Sequence, residues 1–220
     1  MRTLENHNEK KYQYLNSLVK TARDNEFQTI TQSARNDAIS IGKGAISISY
    51  FEANCLHQII KQQNITTFIE LGSLTGFSAC FILNALNEAG KLYCFEKEKK
   101  WIPYLKKNLS AILKLENNST KSFEIIEGDA IQNLQNFTAP IDGIFIDANK
   151  SAYLDYLMMA EKILKPGGLL IADNVFLDGT VWGAESPRFS KKQVEIMTQF
   201  NKKLFEEETF SSFFLDTYSS

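Results

Sequence analysis

An α/β fold built on an open, mostly parallel sheet with helices on both faces is what this sequence predicts, and three observations predict it. From Ile65 onward, short apolar runs alternate with longer segments of helical period, the pattern of strand–helix–strand units rather than of hairpins. The runs are apolar almost throughout, as strands covered on both faces are. Two of them, Ile141-Asp-Gly-Ile-Phe-Ile-Asp147 and Gly168-Leu-Leu-Ile-Ala-Asp173, close on an acidic residue, at the carboxyl ends where an open parallel sheet places its ligands.

Taken in order, residues from about Lys10 to Asn25 carry Leu15, Leu18, Val19 and Ala22 at helical spacing. A second helix is expected from about Tyr50 to Gln62, with Phe51, Cys55, Ile59 and Ile60 on its apolar side. Between them, Thr29 to Ser49 is polar and glycine-containing, with one short alternation at Ala45-Ile46-Ser47-Ile48, and reads as an irregular segment or lid. Strands follow at 65–70, 91–96, 122–127, 141–147 and 168–173, and helices at about 77–88, 98–114, 151–164 and 189–206. Lys165-Pro-Gly-Gly168 stops the helix before the fifth strand, as Pro and Gly do. The 220 residues suffice for one substantial core, so one domain is expected, with residues 1–62 as N-terminal helices and lid and 63–220 as the sheet core.

Composition excludes several function classes. A net charge of -2 offers no electrostatic footprint for nucleic acid or an anionic membrane. Lys97, Lys99 and Lys100, and the pairs Lys191-Lys192 and Lys202-Lys203, are interleaved with acids or lie on helical faces. Cys55, Cys80 and Cys94 are scattered in apolar stretches and read as buried reduced thiols of a cytoplasmic protein. His7 and His57 are the only histidines, which argues against zinc ligation or a Ser-His nucleophile. No signal peptide and no apolar run of membrane-spanning length is visible.

The first strand runs into Glu70-Leu-Gly72-Ser-Leu-Thr-Gly76-Phe-Ser78, a glycine-bearing turn that opens a helix and allows close approach of a ligand to the backbone. Glu96 closes the second strand, where an acidic side chain takes both hydroxyls of a ribose. Alone, this would serve a dinucleotide. Leu74, however, stands where that fingerprint wants glycine, and Glu70 would sit poorly beside a pyrophosphate. An acid there suits a ligand with positive charge and no phosphate, which describes S-adenosylmethionine. Gly128-Asp129-Ala130 adds a polar group after the third strand, near where an adenine would lie. At the other strand ends, Asp147, Asp173 and Asn174 form an all-oxygen set suited to a hard divalent cation such as Mg²⁺, with Lys150 alongside. Each acid taken singly is also a common helix cap or turn former.

In combination, Glu70-Leu-Gly-Ser-Leu-Thr-Gly-Phe-Ser78, Glu96, Gly128-Asp-Ala130, Phe145-Ile-Asp-Ala-Asn-Lys150 with Tyr153, and Pro166-Gly-Gly-Leu-Leu-Ile-Ala-Asp-Asn174 resemble the cation-dependent O-methyltransferases of the catechol and caffeoyl-coenzyme A type, from about Ile46 to Gly179. The resemblance implies a Rossmann-like, seven-stranded methyltransferase sheet with extra N-terminal helices, commonly in a homodimer. It implies S-adenosylmethionine held by Ile48, Glu70, Gly72, Leu74, Ser78, Glu96, Asp129 and Ala130, with Asp147 at the junction of cofactor and metal. Asp147, Asp173 and Asn174 would ligate Mg²⁺, or else Mn²⁺ or Ca²⁺. Lys150, with Asp147, would be catalytic beside the acceptor hydroxyl. The acceptor implied is a small hydroxylated aromatic, for which Phe27, Phe176, Trp182 and Tyr153 are candidate pocket walls. An alternative acceptor is a hydroxylated uridine of tRNA, which the acidic balance disfavours although Arg23, Arg35, Lys43, Lys191 and Lys192 would supply local patches.

Four departures from the family pattern stand out. Leu74 replaces an aromatic residue, Asn149 replaces a common Asp, and Leu177 stands where plant members carry Trp, with Trp182 near enough to substitute. The sequence also ends at Asp216-Thr-Tyr-Ser-Ser220, in or just after an expected sixth strand, so a last strand is either clipped or lacking.

Overall fold

Alternating apolar runs and helices do build one parallel sheet. The computed structural model describes residues 10–11, 13–18, 25–116, 120–206, 208–215 and 217. Its strands are β1 (Thr67–Leu71), β2 (Lys91–Glu96), β3 (Ser122–Glu127), β4 (Ile141–Ile146) and β5 (Leu164–Ala172). They lie in the order β3-β2-β1-β4-β5, every neighbouring pair parallel. The chain winds outward from β1 to β3 and then returns to the other side of β1. The order therefore reverses between β1 and β4, the position at which open sheets open a crevice at their carboxyl ends.

Helices cover both faces. One core cluster packs α1 (Asn25–Ser40), α2 (Tyr50–Gln62), α3 (Phe77–Ala85) and α4 (Ile102–Leu115) against the sheet, and the other packs α5 (Ala130–Gln135), α6 (Tyr153–Ile163) and α7 (Lys191–Glu206). Nearly every side chain of α3 is buried, as a helix apolar all round must be. It sits between the sheet and an outer layer, with Phe27 of α1 edge-on to Phe81 at 5.1 Å and Tyr50 of α2 edge-on to Phe77 at 5.0 Å. No helix among the described residues is long and apolar enough to cross a membrane.

Several expectations change. The stretch read as an irregular lid is mostly α1, whose buried face is Phe27, Thr31, Ala34 and Ala38. Three of those four are small or hydroxylated, so the helical period carries little hydrophobic signal. Helix α2 has the expected ends and buries Ile60 as expected, but the rest of its inward face is Tyr50, Glu52, Ala53, Leu56 and His57, with Phe51, Cys55 and Ile59 half-buried. Its start is fixed by a capping box in which Ser49 accepts from Glu52 N and the Glu52 carboxylate accepts from Ser49 N. Residues 13–18 are helical, Val19 and Ala22 lie outside the described residues, and Leu18 is exposed. Strand β5 begins at Leu164, ahead of the glycines. Its register with β4 shifts between Ile141 and Gly143, across the stretch that contains Gly167 at a left-handed φ of 77°. Of the seven strands implied, five are present among the described residues; 210–215 form neither strand nor helix, so the expected sixth strand is not seen there.

Candidate active site

The turn after β1 is shaped by what presses on it. Gly72 has φ 91°, and a Cβ there would lie 2.2 Å from the Asp147 carbonyl oxygen, so the exit of β4 leaves no room for a side chain. Its N–H and that of Ser73 donate to Phe95 O at 3.0 and 3.2 Å. Leu74 is held in the left-handed region at φ 50°, and its N–H donates to Glu96 Oε2 at 2.7 Å. Glu96 Oε1 accepts from Glu98 N at 2.7 Å. Glu96 thus braces the turn and the end of β2 with both oxygens, keeping lone pairs for a ligand. Outside this turn, Thr75 donates to Ala34 O at 2.8 Å, and Asn108 bridges Thr75 O and the Asp37 carboxylate at 2.8 and 2.9 Å. Helix α1 therefore buttresses the turn from outside.

Glu70 is completely buried, and neither of its oxygens makes a well-formed hydrogen bond. Burial pushes its carboxyl up to about 7, the Ser73 and Ser78 hydroxyls pull the other way, and the neighbouring Glu96 charge adds to the rise. Burial also raises Glu96, against the lowering effect of the Glu98 and Leu74 amides. Ile48 is buried and lines the cavity that also includes Asp173 and Asn174. Its carbonyl accepts from the Arg35 guanidinium, which lies 4.3 Å from the Phe77 ring centre and 5.1 Å from that of Tyr50. Asp129 is occupied as the cap of α5, accepting from Ile131 N and Gln132 N at 3.0 and 3.3 Å, and Ala130 is the first residue of that helix.

The second half of the rim is set by the sheet ladder running one residue past each strand. Asp147 N donates to Leu71 O and Asp173 N to Ile146 O, both at 3.0 Å, so the two acids emerge at one level on adjacent strands. Lys150 Nζ stands 3.5 Å from Asp147 Oδ1 and 3.8 Å from Asp173 Oδ2. It donates to the Tyr153 hydroxyl at 2.6 Å and to Asp173 O at 3.0 Å. Asn149 caps the short turn that bears Lys150 by accepting from Ser151 N at 3.1 Å. Burial raises both carboxyls: Asp147 with a contribution from Glu70, Asp173 with one from Asp147, and each against the lowering effect of Lys150. Among the described residues no three His, Cys, Asp or Glu side chains converge on a metal-holding point; the oxygen set here is two carboxylates, with the Asn174 amide next in the chain. Asn174 has φ 49°, and Leu177 and Asp178 are also left-handed at 48° and 56°, strain of the kind that collects at functional turns.

Asp173 and Asn174 open on a cavity of about 1250 Å³ whose wall includes Phe176, Trp182 and Phe214. Phe176 packs against Trp182 and Phe214 with ring centres 5.3 and 4.9 Å apart. Phe27 and Tyr153, also named as pocket walls, belong to the two cores. Leu177 is wholly buried in the second core and does not line this cavity, whereas Trp182 lines it and is two-thirds exposed.

A profile of the O-methyltransferase family matches residues 13–216. The chain belongs to that O-methyltransferase family. This O-methyltransferase is 31% identical over 176 residues to a catechol O-methyltransferase of Niastella koreensis, covering 78% of this chain and 76% of the relative. In fold it is similar to an SAH-bound methyltransferase of Podospora anserina, with TM-score 0.76, 18% identity and coverage of 96% and 92% of the two chains. A Bacillus cereus O-methyltransferase in complex with SAH gives TM-score 0.70 at 24% identity, covering 84% of this chain and 81% of the other. At such identities these two report the architecture alone. Sequence reasoning about the O-methyltransferase missed Arg35 behind Ile48, the docking of α1 on the turn, and the hydroxyl of Tyr153 under Lys150. The last was findable, since a tyrosine three residues after a lysine shares its side in a 3₁₀ turn.

Proposed function

We propose that the enzyme transfers the methyl group of S-adenosylmethionine to a hydroxyl of a catechol-like acceptor, at a site where Asp147, Asp173 and Asn174 hold a divalent cation. The observation that carries this reading is the pair of partly buried carboxylates on adjacent strand ends with one ammonium between them. Two such acids against one lysine leave a negative site of hard oxygens, the donor chemistry preferred by Mg²⁺, Mn²⁺ and Ca²⁺. When bound, such an ion supplies Lewis-acid activation of the acceptor hydroxyl.

The chain's own groups do the rest. Glu70, a wholly buried carboxyl whose oxygens make no well-formed hydrogen bond, favours a cofactor that brings a positive charge and no phosphate. Gly72, Leu74 and Ser78 line the approach to it, and Ile48, pinned through its carbonyl, closes over the methionine part. The lone pairs that Glu96 keeps take the ribose hydroxyls, while Asp129 and Ala130 meet the adenine from the start of α5. Lys150 stands beside the acceptor hydroxyl, where it orients that oxygen and steadies the negative charge that develops as the hydroxyl loses its proton. Phe176 and Trp182 offer an aromatic wall to a planar ring. The acceptor class is supported by the name of the Niastella relative.

The test is transfer of labelled methyl from S-adenosylmethionine to a dihydroxyphenyl acceptor, first with Mg²⁺ and then with a chelator. Transfer that disappears with the chelator is the expected result; transfer indifferent to it would remove the cation from the reading.

A further inference from the structure

We propose that Tyr153 is a positioning residue for methyl transfer: its hydroxyl fixes the Lys150 ammonium against the ends of β4 and β5 and so sets the direction in which that nitrogen meets the acceptor. The inference rests on the place given to Lys150 in the proposed reaction.

A lysine has a flexible four-carbon stem and loses rotamer entropy when held in one geometry. Between two carboxylates, an unconstrained ammonium would pair closely with either. Lys150 does not. Its shortest contact is with the neutral Tyr153 hydroxyl at 2.6 Å, and the next is with the Asp173 carbonyl at 3.0 Å. The carboxylate oxygens stand off at 3.5 and 3.8 Å. Two of the three N–H groups are thus spent on neutral acceptors, and the third is left for the side where Asp147 and Asp173 open. The carboxylates in turn keep lone pairs that a closely bonded lysine would occupy.

The tyrosine is itself held rigidly. Its hydroxyl proton is shared between Ile146 O at 3.1 Å and Asp173 O at 3.0 Å, carbonyls from the ends of the same two strands. That orients the remaining lone pair of the phenol oxygen toward Lys150. The ring has no exposed surface and packs edge-on to Phe200 at 5.2 Å and Tyr156 at 6.2 Å. Lys150 opens a 3₁₀ turn and Tyr153 begins α6, so side chains three apart stack one above the other. A phenylalanine would fill the same volume. What it would lack is the one oxygen that ties the lysine to both strand ends.

A double-mutant cycle over K150M and Y153F tests this, with kcat, acceptor KM, cofactor Kd and thermal unfolding read for each variant. Expected is that Y153F lowers kcat about 10- to 100-fold, as a misplaced reacting group does, with KM and cofactor Kd within about twofold of wild type. In the K150M background the same change should cost nothing further, because the lysine it positions is gone. Equal losses in both backgrounds, or an unchanged kcat in Y153F, would overturn the inference. If K150M alone keeps wild-type kcat, the catalytic role of Lys150 fails and this inference with it, a result separable from failure of Tyr153 alone. Should Y153F not fold, 3-fluorotyrosine at position 153 keeps the ring and weakens the acceptor. A severalfold drop in kcat at unchanged KM then supports the inference and no drop overturns it.

Discussion

Replacing Glu70 by glutamine removes a buried acid while keeping its shape, and the consequence for stability has a definite sign. The folded protein holds the Glu70 carboxyl at about 7 against an ordinary 4.5, chiefly through burial. Between those values the folded state binds a proton that the unfolded chain has released, so stability falls as pH rises through the window. At 1.36 kcal/mol per pKa unit, the gap is worth about 3 kcal/mol once pH is well above 7. For a chain of this size each kcal/mol moves the melting temperature by about 2–4 °C. Unliganded E70Q should therefore melt about 6–12 °C above wild type at pH 8, on the same scale, and converge with it near pH 5. Saturating S-adenosylmethionine should reverse the order, since wild type gains a charge interaction that the amide cannot make, and the cofactor Kd of E70Q should be weaker by at least about tenfold. Differential scanning fluorimetry from pH 5 to 8, with and without cofactor, reads both effects. Melting curves of the two proteins that stay parallel across that range would refute the reasoning, because every other titrating group is common to both.

Other perturbations probe the rim and the frame. D173A should lower methyl transfer about 100-fold or more while leaving cofactor Kd within a few-fold, and calorimetry should show loss of Mn²⁺ binding. G72A places a Cβ 2.2 Å from Asp147 O at φ 91°, so urea unfolding should report a loss of about 3 kcal/mol or more. Lys121 is nearly buried and bonds Glu116 at 2.7 Å and Asn84 O at 2.9 Å, with Asn84 in turn reaching His57 at 2.9 Å. K121M should cost about 2–3 kcal/mol by the same measurement. At the amino end of the sheet, burial would raise Asp142, but Lys165 and the Thr66 and Thr67 donors outweigh it and hold the carboxyl low. Its contribution is present above the ordinary carboxylate pKa and is lost as pH falls through the lowered folded value. Wild type should therefore lose stability in that acid range, where D142N shows no matching loss.

The parallel sheet was legible because β1, β2 and β4 are buried on both faces and therefore read as continuous apolar runs. The rim acids were legible only in combination: one acid closing an apolar run is a common cap, but Asp147 and Asp173 close two such runs with Asn174 and Lys150 alongside. Helix α1 was not legible. Its inward face uses Thr31, Ala34 and Ala38, residues small enough for close packing and too weakly apolar to mark a period. The inward face of α2 was misjudged because it buries Glu52 and His57, both polar, while Phe51 and Ile59 stay at the margin. Asp129 and Asn149 show the opposite limit. Sequence can place an acid or amide at a helix start, but whether its oxygen serves a ligand or the cap depends on backbone geometry.

Four adjacent strand ends, those of β2, β1, β4 and β5, carry Glu96, Glu70, Asp147 and Asp173 in a row. Among the described residues the only ion pairs in that row are those of Lys150. The acids raise one another in sequence along the sheet, Glu96 acting on Glu70, Glu70 on Asp147 and Asp147 on Asp173. Such a row destabilises the unliganded fold at neutral pH, and the two cores on either face must supply the stability that tolerates it. A neutral or anionic ligand would leave that repulsion in place. A sulfonium set against Glu70 and a divalent cation set between Asp147 and Asp173 would each relieve it locally. A change at one end of the row should therefore be felt at the other. On this reading the positive charge of the proposed methyl donor and of the proposed cation answers one property of the sheet, the burial of four acids along a single edge.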